Sequence, residues 1–160
     1  MRIMIKKFLL IASNFYLLPL ACAFSIGIPK TLIDSAMIKK FPLEKYTVTI
    51  DHPITKFKKE IEKIEICGSW SEKLTRAVGE FCVDAQPRWN KSKGDIEISK
   101  INVLKMTVKD FGELPASLGH SLNTSVLFLL DGISVYHAPD FMGKHLESIQ
   151  VEESSIKLNF

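Results

Sequence analysis

Two cysteines place the strongest constraint on what this chain can fold into, because each sits in a stretch of strict alternation that fixes its neighbours as well. Ile64 and Ile66 alternate with Lys63, Glu65 and Cys67, while Ala77, Gly79, Phe81, Val83 and Ala85 alternate with Val78, Glu80, Cys82 and Asp84. A period of two is that of half-buried strands, here with both cysteines on the polar face. Setting Cys67 opposite Cys82 puts Ile66 against Val83 and Ile64 against Ala85, so register and burial agree for an antiparallel pair that turns within Gly68–Thr75. The same register sets Glu65 near Asp84, a like-charge pair that counts mildly against it. A cross-strand disulfide on the outer face is worth about 3 kcal/mol for a loop of this size. Two unpaired cysteines on a hairpin are the alternative. No metal site is read here, since His52 is the nearest histidine and no C-x-x-C spacing exists.

The redox state this pairing needs agrees with the start of the chain. Met1–Lys7 is a short basic region, Phe8–Leu20 is an apolar run broken by Ser13 and Asn14, and Ala21-Cys22-Ala23 supplies small residues for cleavage after Ala23. Residues 1–23 therefore read as a secretory signal peptide, which implies a periplasmic protein in an oxidising compartment. Two alternatives remain: an uncleaved anchor over Phe8–Ile28, and a membrane-anchored lipoprotein acylated at Cys22. Pro19 stands where a lipoprotein signal has Leu.

Charge partitions the same way. Of 21 basic residues, Arg2, Lys6 and Lys7 fall in the leader, which leaves 18 bases against 18 acids in the body. The net charge of +3 thus belongs to the address and not to a basic surface, so no nucleic-acid partner is expected. With 160 residues, 46% of them apolar, the chain supports one compact domain, residues 24–160, and no disordered or collagen-like class.

Along the body, Phe24–Ile28 reads as a first strand. A helix follows from about Thr31, its N-cap, to Lys40, with Leu32, Ile33, Ala36, Met37 and Phe41 on one stripe and Pro42 as its stop. Tyr46, Val48 and Ile50 make a strand closed by Asp51-His52-Pro53. Phe57, Ile61 and Ile64 fit a helix, but the well-patterned partner after Ala77 favours a strand from about Ile61. After the Asn90–Gly94 turn, the alternation through Ile96, Ile98, Ile101, Val103, Met106 and Val108 slips phase twice, which predicts a bulged, bent strand. Pro115 opens the most apolar helix, running to about Leu130 and ended by Gly132. A short strand at Ile133–Tyr136, a helical turn at Pro139–His145 and a closing hairpin through Ile149–Val151 and Ile156–Phe160 complete the reading.

Little of this carries chemistry. Gly119-His120-Ser121-Leu122-Asn123 begins like the G-x-S-x-G elbow of an esterase, but its last residue is Asn and it lies inside a helix, where the elbow needs a strand-to-helix turn. The four histidines show no ligand spacing, and no phosphate-cradling glycine loop is present. Asn90 and Asn123 stand in glycosylation sequons, and Trp70 and Trp89 lie near turn positions. No catalytic residue, metal or cofactor is assigned, and the protein is read as non-enzymatic.

Taken in order, these landmarks resemble the YceB-like family of bacterial periplasmic lipoproteins, a domain of unknown function. The likeness is one of layout over nearly all of residues 24–160. It runs from a strand and helix ending in Lys40-Phe41-Pro42, through a long meander that includes Gly94–Ser99, to a Leu-rich helix leading into Ile133-Ser-Val-Tyr136. It ends in Leu146–Val151 followed by a short hairpin. Members look like a half-module of the tubular lipid-binding (TULIP) architecture. The resemblance implies an α+β fold in which a highly curved antiparallel sheet wraps a long apolar helix, with a second, shorter N-terminal helix. It also implies a groove between helix and sheet for a lipid or other hydrophobic molecule, lined by Ile33, Met37, Phe41, Leu118, Leu122, Val126 and Phe128. A membrane surface is a further possible partner. The rival expectation is an envelope interaction or assembly protein with no small-molecule ligand, its protein partner unknown.

Overall fold

The computed structural model describes residues 24–109, 112–113, 116–139 and 146–160. The leader with Cys22, the helix start expected at Pro115, and all but Pro139 of the turn expected at Pro139–His145 lie outside these residues. The chain runs β1 (Ser25–Pro29), α1 (Lys30–Lys40), β2 (Leu43–Lys45), β3 (Val48–Lys58), a 3-10 turn (Lys59–Ile61), β4 (Lys63–Glu72), β5 (Val78–Asn90) and β6 (Asp95–Val108). It continues with β7 (Gly112–Glu113), α2 (Ala116–Leu130), β8 (Ser134–His137), β9 (Ser148–Val151) and β10 (Ser155–Asn159). Strands β2 to β7 pair antiparallel in chain order, β8 adds to β6, and β1, β10 and β9 form a separate three-stranded sheet.

This overturns the expected α+β layout around a long apolar helix. Among the described residues the protein is mostly β, with two short helices and no long apolar helix. Helix α2 spans 15 residues, about 22 Å at 1.5 Å per residue. Leu122, Val126 and Leu130 are buried on one of its faces while His120, Thr124 and Phe128 are exposed on the other. It contacts β6 and, toward the other end of the curled sheet, β2 and β3.

The strands are also longer than the sequence pattern indicates. Strand β3 passes through Asp51-His52-Pro53 by a bulge, where two residues of β3 stand against one of β4. His52 takes a left-handed backbone (φ 54°), and the missing side chain of Gly68 leaves room, because a Cβ there would lie 2.7 Å from the Asp51 carbonyl oxygen. Strand β4 likewise continues past Gly68 to Glu72, since Trp70 keeps the inward phase of Ile64 and Ile66 and is 2% exposed. The turn therefore shrinks to the residues after Glu72. Ile61 belongs to the 3-10 turn and not to the strand, Tyr46 is a turn residue, and α1 begins at Lys30 with Pro29 at its N-cap instead of Thr31.

The cysteine register holds: Ile64 faces Ala85, Ile66 faces Val83, and Cys67 and Cys82 are joined by a disulfide. The like-charge pair Glu65–Asp84 also forms, and is offset by lysines, with Lys58 3.2 Å from Glu65 and Lys63 2.9 Å from Asp84. The two phase slips in β6 are two irregularities against β5, one leaving Leu104 outside the pairing and one at Lys100 and Ile101. Fully buried Ile33 and Met37 of α1, Val126 of α2, Ile156 of β10 and the inward residues of β3 to β6 share one core. Each such side chain contributes about 1.5–3 kcal/mol by leaving water.

Candidate functional site

The second irregularity in β6 builds the most distinctive surface feature. Lys100 adopts φ 48°, and the extra residue there turns Lys100 and Ile101 toward α2. From the helix, Thr124, Leu127, Phe128 and Asp131 face them at positions i, i+3, i+4 and i+7, which share one side of an α-helix. The open cleft between them has a volume of about 590 Å³. Phe128, 63% exposed, stands on its wall, and the Lys45 ammonium of β2 lies over the Phe128 ring.

Five of the seven residues expected to line a groove come together in one core cluster, and Phe128 lies apart from them on the surface. Ile33, Met37, Phe41, Leu122 and Val126 are all in the core, none more than 9% exposed. The Leu118 side chain lies outside the described residues. Of the six whose side chains are described, Phe128 is the one placed on the cleft. Lys100, Ile101, Thr124, Leu127 and Asp131 join Phe128 on the cleft without being expected there, and the phase slip near Ile101 is the one signal of them in the sequence.

A second cleft, about 580 Å³, opens on the outer face of β3 to β6 beside Asp51, His52, Ser69, Glu80 and Thr107. His52 Nδ1 lies 3.3 Å from Ser69 Oγ and 3.6 Å from Asp51 Oδ2. A proton relay needs the two ring nitrogens to serve different partners, whereas here one nitrogen faces both, so the arrangement does not activate the serine. His120 and Ser121, the other candidate pair, are exposed within α2 and not at an elbow. Among the described residues no cluster of three or more His, Cys, Asp or Glu side chains could hold a metal ion, and no helix is long and apolar enough to cross a membrane.

Charged groups that are well held serve the hairpins. Glu97 is 2% exposed and accepts hydrogen bonds from Lys93 (2.9 Å), Asn90 (2.8 Å) and Arg88 (3.2 Å), and the Lys93 ammonium above all keeps its carboxyl below the usual range. The Asn90 sequon side chain is therefore committed to the β5–β6 hairpin. Glu72 is lowered to about 2, first by the Thr47 hydroxyl and then by the Thr75 and Leu74 groups of its own turn. Trp70 donates its indole N–H to the Thr107 carbonyl (3.0 Å), so it is a core residue tying β4 to β6. Trp89 is half-buried in β5 and borders a third, smaller cleft with Leu146 and Ile149.

No family model and no curated protein matches this chain.

Proposed function

We propose that this is an exported, non-catalytic protein that holds the acyl chain of a lipid, or a comparable hydrophobic molecule, in the cleft between α2 and β6. The observation that carries the reading is Phe128: a large aromatic left mostly in water on the wall of a cleft whose other walls include Leu127 and Ile101. Exposure of such a side chain forgoes about 1.5–3 kcal/mol of burial, part of which a bound chain restores. The volume lies within the roughly 300–1,000 Å³ of small-molecule sites. Lys100 supplies a cation for the carboxylate or phosphate end of an amphiphile. The Cys67–Cys82 disulfide supports the exported setting.

The rival reading, an envelope interaction protein without a small ligand, is favoured by the packing of Ile33, Met37, Leu122 and Val126 into the core, where they have no surface to offer a ligand. Titration with a dansyl-labelled fatty acid separates the two. Saturable fluorescence enhancement, lost in a Phe128→Asp variant with unchanged circular dichroism, supports the cleft. Absence of enhancement with the parent protein overturns it in favour of the rival.

A further inference from the structure

Three large apolar side chains stand in water around one end of the β2–β6 sheet. Tyr46, 84% exposed, is at the tip of the β2–β3 turn, and Leu74, 81% exposed, is at the tip of the β4–β5 turn. The two tips are held side by side, because the Lys73 N–H donates to the Thr47 carbonyl at 2.9 Å. Phe128 adjoins them through Lys45, whose ammonium lies 5.4 Å from the Tyr46 ring centroid and over the Phe128 ring. Isolated apolar residues on a surface need no explanation, but apolar residues on neighbouring turn tips, leading to an apolar cleft, form a patch.

Four bases stand close to the patch. Lys45 ends β2, Lys73 and Arg76 belong to the β4–β5 turn, and Lys109 is held beside β5 by its N–H bond to the Val78 carbonyl. Of the acids flanking the two turns, Glu44 is paired with Lys73, and Glu72 accepts from the Leu74 N–H (3.1 Å) and the Thr75 N–H (2.7 Å); Glu80 and Asp51 share the outer cleft with Lys109, and Asp131 lies across the α2–β6 cleft. Lys45 and Arg76 are in no ion pair among the described residues. Amphipathic aromatic and aliphatic tips set among cations match the interface of an anionic bilayer, where apolar side chains enter the headgroup boundary and bases meet lipid phosphates.

We infer that this end of the molecule, through Tyr46 and Leu74 with Lys45, Arg76 and Lys109, docks on an anionic phospholipid bilayer and brings the mouth of the α2–β6 cleft to the lipid. The inference rests on the cleft reading for its purpose but uses other residues, since neither Tyr46 nor Leu74 lines the cleft.

The test is flotation with vesicles of phosphatidylethanolamine and phosphatidylglycerol, against vesicles of phosphatidylcholine. It uses Cys22→Ala protein, so that acylation cannot supply the binding. The protein is expected to float with the anionic vesicles and less with the neutral ones. Tyr46→Ser with Leu74→Ser should weaken flotation at least about tenfold, and Arg76→Gln with Lys109→Gln should remove the preference for phosphatidylglycerol. In the Tyr46→Ser, Leu74→Ser protein the circular dichroism and the fatty-acid titration should stay unchanged. Flotation unaffected by these variants, or no flotation of the parent, overturns the docking surface. A failed fatty-acid titration with intact flotation overturns the cleft alone.

Discussion

Cys67 and Cys82 face each other across β4 and β5 with their Cα atoms 4.0 Å apart, and their disulfide ties the centre of the sheet on its outer face. The bond closes a loop with a sequence separation of 15 residues, for which chain entropy gives about 3 kcal/mol. Urea unfolding of Cys67→Ser, Cys82→Ser protein should show a stability lower by about that amount with the slope of the transition raised, as a less constrained unfolded chain exposes more surface. Thiol counting on protein recovered from its native compartment should find neither cysteine free. Two titratable thiols would remove the argument for an oxidising compartment.

Gly79 gives a sharp contrast with Gly27. A Cβ at Gly79 would stand 1.8 Å from the Thr107 carbonyl oxygen and 2.8 Å from the Trp70 indole nitrogen, so Gly79→Ala must displace backbone or break the Trp70–Thr107 hydrogen bond. A cost of about 3 kcal/mol is expected. At Gly27 the nearest atom is 3.8 Å away, and Gly27→Ala should be neutral within about 0.5 kcal/mol. Urea unfolding of the two variants checks both values.

Glu72 makes the β4–β5 turn sensitive to acid. Its carboxyl is lowered to about 2 in the folded protein, so the stabilisation is fully present above the unfolded value near 4.5 and is lost as pH falls from there toward 2. Amide exchange at Leu74 and Thr75, corrected for intrinsic rates, should lose protection over that window. In Glu72→Gln the loss should be present at neutral pH and independent of acid. An NMR titration that places Glu72 near 4.5 would contradict the assignment.

The disulfide register is legible in the sequence because burial and pairing point the same way at Ile64, Ile66, Val83 and Ala85, and both bulges of β6 are legible because an extra residue inverts the alternation. The continuation of β3 past Pro53 is not legible, since the accommodation depends on Gly68 in another strand, a nonlocal effect that a local pattern does not contain. The apolar stripe of α2 is legible, but the helix spans only 15 residues and most of the described chain is strand, because β3 to β6 run longer than their local alternation indicates. The cleft uses the opposite side of that helix, at Thr124, Leu127, Phe128 and Asp131, whose mixed composition draws no attention until Ile101 is placed beside it.

The non-catalytic part of the proposal predicts the behaviour of the two candidate serines. A fluorophosphonate probe should leave both Ser69 and Ser121 unlabelled, because His52 offers one nitrogen to two partners and Ser121 sits exposed within a helix. Stoichiometric labelling at either residue, read by peptide mass spectrometry, would point to a hydrolase.

The occupancy of the α2–β6 cleft is most directly measured by native mass spectrometry of protein purified gently, without detergent, from its own compartment. The account predicts a population carrying the added mass of a lipid, which collision releases and which is absent from Phe128→Asp protein. A parent protein found at its bare mass throughout, or a lipid adduct retained in Phe128→Asp, would contradict the assignment of that cleft.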